Sequence, residues 1–140
     1  MNPKNTIKLR PVKKSDCQFL YNLLKERDPR ANISHKNMPS YEQHVKFVLS
    51  KPYSKWYVVM KSDKTVGSVY LTKNNEIGLF IQKNMQDKGI GYHALQALVK
   101  KNPRKFYLAN VSPKNKRSIR FFKNNGFELI QHTYRLESSY

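Results

Sequence analysis

Three strand-like runs follow one another between Trp56 and Ile81, and the turns joining them are too short for any crossover. Trp56-Tyr57-Val58-Val59-Met60 is followed by Ser62-Asp63-Lys64, then by Val66 to Leu71, by Asn74-Asn75 and by Glu76 to Ile81. Aromatic and β-branched runs bounded by Asn, Asp and Ser read as strands and turns. A parallel connection needs about a dozen residues or more. These strands therefore form an antiparallel meander, and the rest of the chain has to cover its two faces.

The flanking segments provide that cover. Ile7 to Val12 alternates as a strand. Ser15 can N-cap a helix with Phe19/Leu23 and Leu20/Leu24 on one face, ending near Arg27 because Asp28 precedes Pro29. Residues 28 to 39 read as a polar loop. Ser40-Tyr41-Glu42-Gln43 is a capping box that opens a short helix with Tyr41, Val45 and Val48 inward. A helix is expected from Ile90 to Lys101, closed by Asn102-Pro103. Phe106 to Val111 reads as a strand, Asn115 to Asn124 as a helix, and Phe127 to Ile130 as the start of a last strand. The order β-α-α-β-β-β-α-β-α-β describes one α/β domain over residues 1–140.

Composition narrows the functional classes. No run of about 18 apolar residues is present, so no transmembrane helix or membrane partner is expected. Met1-Asn2-Pro3-Lys4 lacks an apolar segment behind it, which argues against a secretory signal. The single cysteine, Cys17, excludes an internal disulfide and a Cys-based zinc site, and a reducing cytoplasm is the plain reading. His35, His44, His93 and His132 show no metal-ligand spacing, so no metal is expected. The net charge of +18 points to an anionic partner or to compositional drift, and the total does not choose between them. Its placement is more informative: from Lys88 to Phe127 there are ten Lys or Arg and no Asp or Glu. That stretch suits phosphates.

The sharpest local motif is Gln86-Asp87-Lys88-Gly89-Ile90-Gly91, between the strand 76–81 and the helix from Ile90. Glycines at such a junction let backbone approach a ligand, and helix-initial N–H groups with the helix dipole attract an anion. A diphosphate would fit. A helix entrance that simply needs flexible residues would explain the glycines equally well. A third glycine is missing for a dinucleotide fingerprint, and no Gly-Lys-Ser/Thr follows for a P-loop.

Taken with its surroundings, the motif resembles a known family. Glu76-Ile77-Gly78-Leu79-Phe80-Ile81 followed by Gln86-x-x-Gly89-x-Gly91 is similar to the acetyl-CoA motif of the GNAT N-acetyltransferases. Ala109-x-Val111-x-Pro113-x-Asn115-x-x-Ser118-x-x-Phe121-Phe122-x-x-x-Gly126-Phe127 resembles that family's second signature, and Leu9-Arg10-Pro11 and Val66-Gly67 fall in the matching order. The resemblance spans residues 7 to 131. It implies a mixed, mostly antiparallel sheet flanked by helices and splayed between the strands 76–81 and 106–111. Acetyl-CoA would lie in that gap as co-substrate. Its pantetheine arm would pair near Leu79, Phe80 and Ile81, its diphosphate would rest on the N–H groups of Gln86 to Gly91, and Asn115, Ser118 and Phe122 would stand near the thioester end.

The resemblance further implies direct attack of a neutral amine on the thioester, with a group to accept the amine's proton. Glu76 is the candidate base; its plainer role is a strand-start surface residue. Phe122 stands where many relatives carry a proton-donating tyrosine, so the thiolate leaves unassisted or Ser118 serves. Ser40-x-Glu42-x-His44 resembles a helix start in relatives that act on nucleotide-linked amino sugars. His44 is thus a candidate at the acceptor pocket, against the plainer reading of a solvent-facing or half-packed histidine. An anionic small-molecule amine is the leading acceptor. Alternatives are a protein amino terminus or small amine, or a non-catalytic module that binds CoA or nucleic acid; nucleic acid is not expected as the primary partner. Monomer and homodimer both remain open.

Overall fold

The computed structural model describes residues 6–27 and 38–139. Four strands, β1 (Ile7–Pro11), β2 (Lys55–Lys61), β3 (Lys64–Leu71) and β4 (Ile77–Ile81), pair antiparallel in the order β1-β2-β3-β4. The meander is as the turn spacing requires. In the register Trp56 stands opposite Tyr70 and Tyr70 opposite Gly78. A bulge between Val59 and Met60 interrupts the β2–β3 pairing.

The alternating strand pattern sends Tyr57, Val59, Val69, Leu71 and Ile77 to one face. There α3 (Ile90–Lys101) lays down Ile90, Ala94, Leu95 and Leu98, a single helical stripe. Val59, Val69, Leu71, Ala94 and Leu98 are all 0% exposed. The opposite face carries α1 (Cys17–Glu26) and α2 (Tyr41–Leu49), whose Cys17, Leu20 and Val48 form a smaller cluster with Trp56 at its edge. The Trp56 indole donates to Ser68 Oγ at 2.7 Å, which satisfies its one polar group.

Several expectations need correction. Ser15 does not cap α1: a 3-10 turn at Lys14–Asp16 precedes the helix, and Asp16 is the residue that organises it. The Asp16 carboxylate accepts from Lys13 N at 2.7 Å and takes both Arg10 Nη atoms at 3.0 and 2.8 Å. Burial raises that carboxyl's pKa, but the bonds from Arg10 and Lys13 outweigh it and hold it below the ordinary value. The Ser40 capping box forms in both directions, at 3.1 and 2.9 Å. In α2, however, His44 rather than Tyr41 turns inward, because the i, i+4 partner of buried Val48 is position 44.

The later elements form less completely. Phe106 to Val111 is not a strand but makes one parallel bridge, Leu108 to Glu76. After α4 (Lys116–Asn124), the expected final strand from Phe127 is absent, and Leu129 and Ile130 are 70% and 75% exposed. A strand is a pairing, and among the described residues the first of these segments pairs at one point only and the second at none. Residues 28–37, most of the expected loop, lie outside the described residues. No helix among the described residues is long and apolar enough to cross a membrane.

Candidate active site

The splay between β4 and residues 106–111 begins at one point of contact. Ile77 N donates to Leu108 O, and Leu108 N to Asn75 O, both at 2.8 Å. Beyond that bridge the segments share no further backbone bond among the described residues. Thr72 N bonds to Glu76 O and Gln82 N to Val66 O, so even-numbered residues of β4 direct their backbone groups at β3. Odd-numbered residues direct theirs into the splay. Leu79 therefore presents its N–H and C=O to the gap. Phe80 does not, its backbone facing Ser68 on β3. Ile81 offers its N–H only, because Gln86 Nε2 donates to Ile81 O at 3.0 Å. Gln86 thus stitches the loop back to the strand, and its own N–H is taken by Lys83 O.

The loop then turns sharply. Asp87 and Gly89 have φ of 63° and 78°, and Gly89 stands at the N-cap of α3 with no side-chain cap. The left-handed region costs an L-residue about 1–2 kcal/mol, which glycine avoids. The first internal bond of the helix entrance is His93 N to Gly89 O. Among the described residues the N–H groups of Ile90, Gly91 and Tyr92 have no backbone partner, and they lie at the positive end of the dipole. A Cβ on Gly91 would come within 3.1 Å of the Phe121 ring and 3.7 Å of Leu79, so this glycine lets α4 close on α3 and β4. Arg117 Nη2 meets Asp87 Oδ1 at 2.7 Å across the same junction.

Glu76 sits half-buried at the bridge. Its carboxylate accepts from Asn110 Nδ2 at 2.6 Å and from Thr72 Oγ1 at 3.2 Å. It shares a sheet face with Gly78 and Phe80. The absence of a side chain at Gly78 lets the Tyr70 ring lie flat across β4. Tyr70 stacks on Tyr53 at 3.8 Å, with planes 2° apart, and the Arg27 guanidinium lies 4.6 Å from the Phe80 ring centre. Burial holds both phenols above their ordinary pKa and Arg27 below its own. Neutral phenols and a desolvated cation thus line the face that Glu76 occupies.

Other expected residues fall as follows. Asn115 caps α4, its Oδ1 accepting from Ser118 N at 3.2 Å, and Ser118 carries the only hydroxyl of that helix. Phe122 packs edge-on between Phe121 and Phe127, at 5.2 and 5.0 Å. His44 is 5% exposed against Tyr21 and Phe47, and its Nε2 has no hydrogen-bond partner among the described residues. The solvent-facing or half-packed reading of His44 is therefore wrong, and burial keeps its pKa low. Sequence reasoning missed Asn110, Thr72, Arg117 and the Arg27–Phe80–Tyr70–Tyr53 row; Gly78 was the available signal for the last. A cavity of about 330 Å³ lined by Lys13, Lys51, Tyr53 and Trp56 shares no residue with the splay. No group of three or more potential metal ligands gathers among the described residues.

This arrangement has parallels. The acetyltransferase (GNAT) family model matches residues 17–127. No curated protein matches the sequence significantly. Among solved structures, a domain from Methanocaldococcus jannaschii is 22% identical with a TM-score of 0.78, over 91% of this chain and 92% of that one. RimL, a ribosomal α-N-protein acetyltransferase in complex with coenzyme A, is 20% identical with a TM-score of 0.72, over 93% and 84%. The spermidine N-acetyltransferase SpeG from Vibrio cholerae is 18% identical with a TM-score of 0.72, over 94% and 83%. At these identities the likeness is one of fold. The family match covers most of the chain, and with the splayed sheet and the uncapped helix entrance it shows that the chain belongs to the acetyltransferase (GNAT) family.

Proposed function

We propose that this enzyme transfers the acetyl group of acetyl-CoA to a primary amine, with the co-substrate lying in the splay. The observation that carries this reading is the pairing of two features: Leu79 N–H and C=O without a backbone partner among the described residues, and the uncapped entrance of α3, which opens the acid-free stretch 88–127. An amide-bearing arm can pair with Leu79 as a further strand would. The N–H groups of Gly89, Ile90, Gly91 and Tyr92 suit a diphosphate, and the surrounding cations a further phosphate. Gln86 contributes through its bond to Ile81 rather than through its own N–H.

Acetyl-CoA supplies a thioester whose thiolate leaves readily, a thiol pKa being ~8.5. The protein's part is to bring up a neutral amine and take its proton. Glu76 does so, directly or through one water, with Asn110 and Thr72 holding its carboxylate. Phe122 cannot donate a proton to sulfur, which leaves Ser118 as the α4 hydroxyl able to do so.

The acceptor is an amine on an anionic molecule, and a nucleotide-linked amino sugar is the leading case. The support is electrostatic: a chain of net charge +18 attracts phosphates and repels polyamines. Buried His44 no longer adds direct support. A protein amino terminus is the second reading, favoured by the likeness to RimL. Thiol release from acetyl-CoA, measured with a uridine-diphosphate-linked amino sugar, an N-terminal peptide and spermidine, tests both. The highest kcat/KM is expected with the nucleotide sugar. Equal or faster turnover of spermidine would overturn the anionic acceptor, and no thiol release with any amine would overturn the enzymatic reading.

A further inference from the structure

The 330 Å³ cavity outside the splay lies where two runs of the chain meet. Pro11 stands opposite Tyr57, and Val12 N donates to Trp56 O at 3.0 Å, so the turn after β1 lies against the run 51–55 that leads into β2. Lys13 and Lys14 come from the turn, Lys51 and Lys55 from the run. All four are exposed around a floor that includes buried Val48 and half-buried Trp56. No Asp or Glu is among the described residues that line the cavity. The acid of the turn, Asp16, is buried and committed to Arg10 and to Lys13 N. Four like charges round one cavity repel one another until an anion joins them. An apolar floor with a few charged groups, in a volume of this size, is the make-up of a small-molecule site.

A row of rings joins this cavity to the candidate base. Trp56, Tyr70 and Gly78 stand opposite one another across β2, β3 and β4, so Trp56 and Gly78 are two strand spacings apart, about 10 Å. Tyr53, another cavity residue, meets Trp56 edge-on at 4.9 Å and stacks on Tyr70, whose ring covers Gly78. Glu76 lies two residues before Gly78 on the same face. Arg104 makes a second link: its Nη2 donates to Ser54 Oγ at the cavity, and its Nη1 to Thr72 O and Asn75 Oδ1 beside Glu76.

We infer that the cavity receives the anionic end of the acceptor. A diphosphate sits among the four lysines, the flat base attached to it lies against Trp56 and Tyr53, and the amino sugar reaches across Tyr70 to Glu76. This rests on the anionic acceptor proposed above and assigns its charged half to residues outside the splay. Acetyl-CoA and acceptor then approach Glu76 from opposite sides, each led by its own cations. A polyamine would meet only like charge along this path.

Trp56 is the single tryptophan of the chain, so its fluorescence reports on this cavity. With coenzyme A saturating, to keep the splay filled, uridine diphosphate should change that fluorescence saturably, and uridine should bind about tenfold more weakly or worse. The double variant Lys14→Glu, Lys55→Glu alters two exposed side chains and should keep its far-ultraviolet circular dichroism. It should lose about tenfold or more in affinity for uridine diphosphate, and as much in kcat/KM for the uridine-diphosphate-linked amino sugar. If that variant does not fold, Lys51→Asn, which suits the positive φ of 52° there, should cost about threefold in both. Turnover of the nucleotide sugar with Trp56 silent toward uridine diphosphate would overturn the inference and leave the anionic acceptor standing. A fluorescence change without turnover of any anionic amine would overturn the anionic acceptor, and with it the cavity's place in the reaction. A double variant that binds uridine diphosphate weakly but turns over the nucleotide sugar as the wild type does would also overturn the inference, making the cavity a separate effector site.

Discussion

Residues 6–102 and residues 103–139 are built on different principles. The first region holds the whole buried core, with Val58, Val59, Val69, Leu71 and Leu98 at 0% exposure. The second has no buried residue and is tied on by separate contacts. Leu108 bridges to β4, Asn110 bonds Glu76, and Phe121 covers Gly91. Arg104 is a polar tie, reaching Thr72 O at 3.0 Å, Asn75 Oδ1 at 2.9 Å and Ser54 Oγ at 3.2 Å, and Tyr107, Phe121 and Phe127 pack against the edge of the core. The Arg117–Asp87 pair is exposed and adds little. Regions held by few apolar contacts open at lower free energy than the core. The candidate site lies on the seam, with one wall belonging to the core and the other to the second region.

Core truncation should separate the regions most. Leu98→Ala should cost about 2–5 kcal/mol in denaturant unfolding, and Ile119→Ala, at a half-buried position of α4, about 1 kcal/mol or less. Equal costs would erase the distinction. Hydrogen exchange should place the amides of Val58, Val59 and Val69 at global stability and those of 106–124 about 100-fold faster. Acetyl-CoA should slow the second set selectively; uniform exchange in both regions would break the comparison.

The seam can be probed residue by residue. Glu76→Gln should lower kcat by about 100-fold and leave acetyl-CoA affinity nearly intact; an unchanged rate would clear Glu76 of the base role. Gly89→Glu puts a like charge on the anion site and should weaken acetyl-CoA by about tenfold or more in calorimetry. Gly126→Ala is the control, since Gly126 also has positive φ, 87°, with open space around it. It should bear similar strain without loss of affinity, and equal losses in the two variants would make the Gly89 effect mere strain.

The smallest expected effect is confined to the core side. Burial depresses the folded-state pKa of His44, so below about pH 6.5, the unfolded value, the unfolded chain takes up more protons at this site. Its contribution to stability is present above that pH and lost as pH falls further. His44→Phe should flatten that part of the stability profile in urea titrations; an unchanged slope would exclude His44 as its source.

What the sequence disclosed divides along the same line. Turn spacing and apolar alternation between residues 56 and 81 sufficed for the meander, and the Ala94, Leu95, Leu98 stripe for α3, because both signals are local. The glycines at 89 and 91 marked the helix entrance for the same reason. Pairing is not local. Phe106 to Val111 and Phe127 to Ile130 alternate as strands do, but nothing in the residues says whether a neighbour lies beside them. Asp16 displaced Ser15 as organiser of the α1 entrance through Arg10, six residues earlier. His44 was inward because of its spacing from Val48, a pattern available in the sequence but outweighed by its polarity.

The most direct test of the account is an amide NMR titration with acetyl-CoA, with ADP and duplex DNA as anionic controls. Saturable shifts concentrated at Leu79, Ile81 and Gly89 to Tyr92, stronger with acetyl-CoA than with ADP and little changed by added salt, are the predicted result. Shifts spread over Lys100 to Lys105 and α4, strongest with DNA and abolished by salt, would contradict it and make the charge, rather than the splay, the binding site.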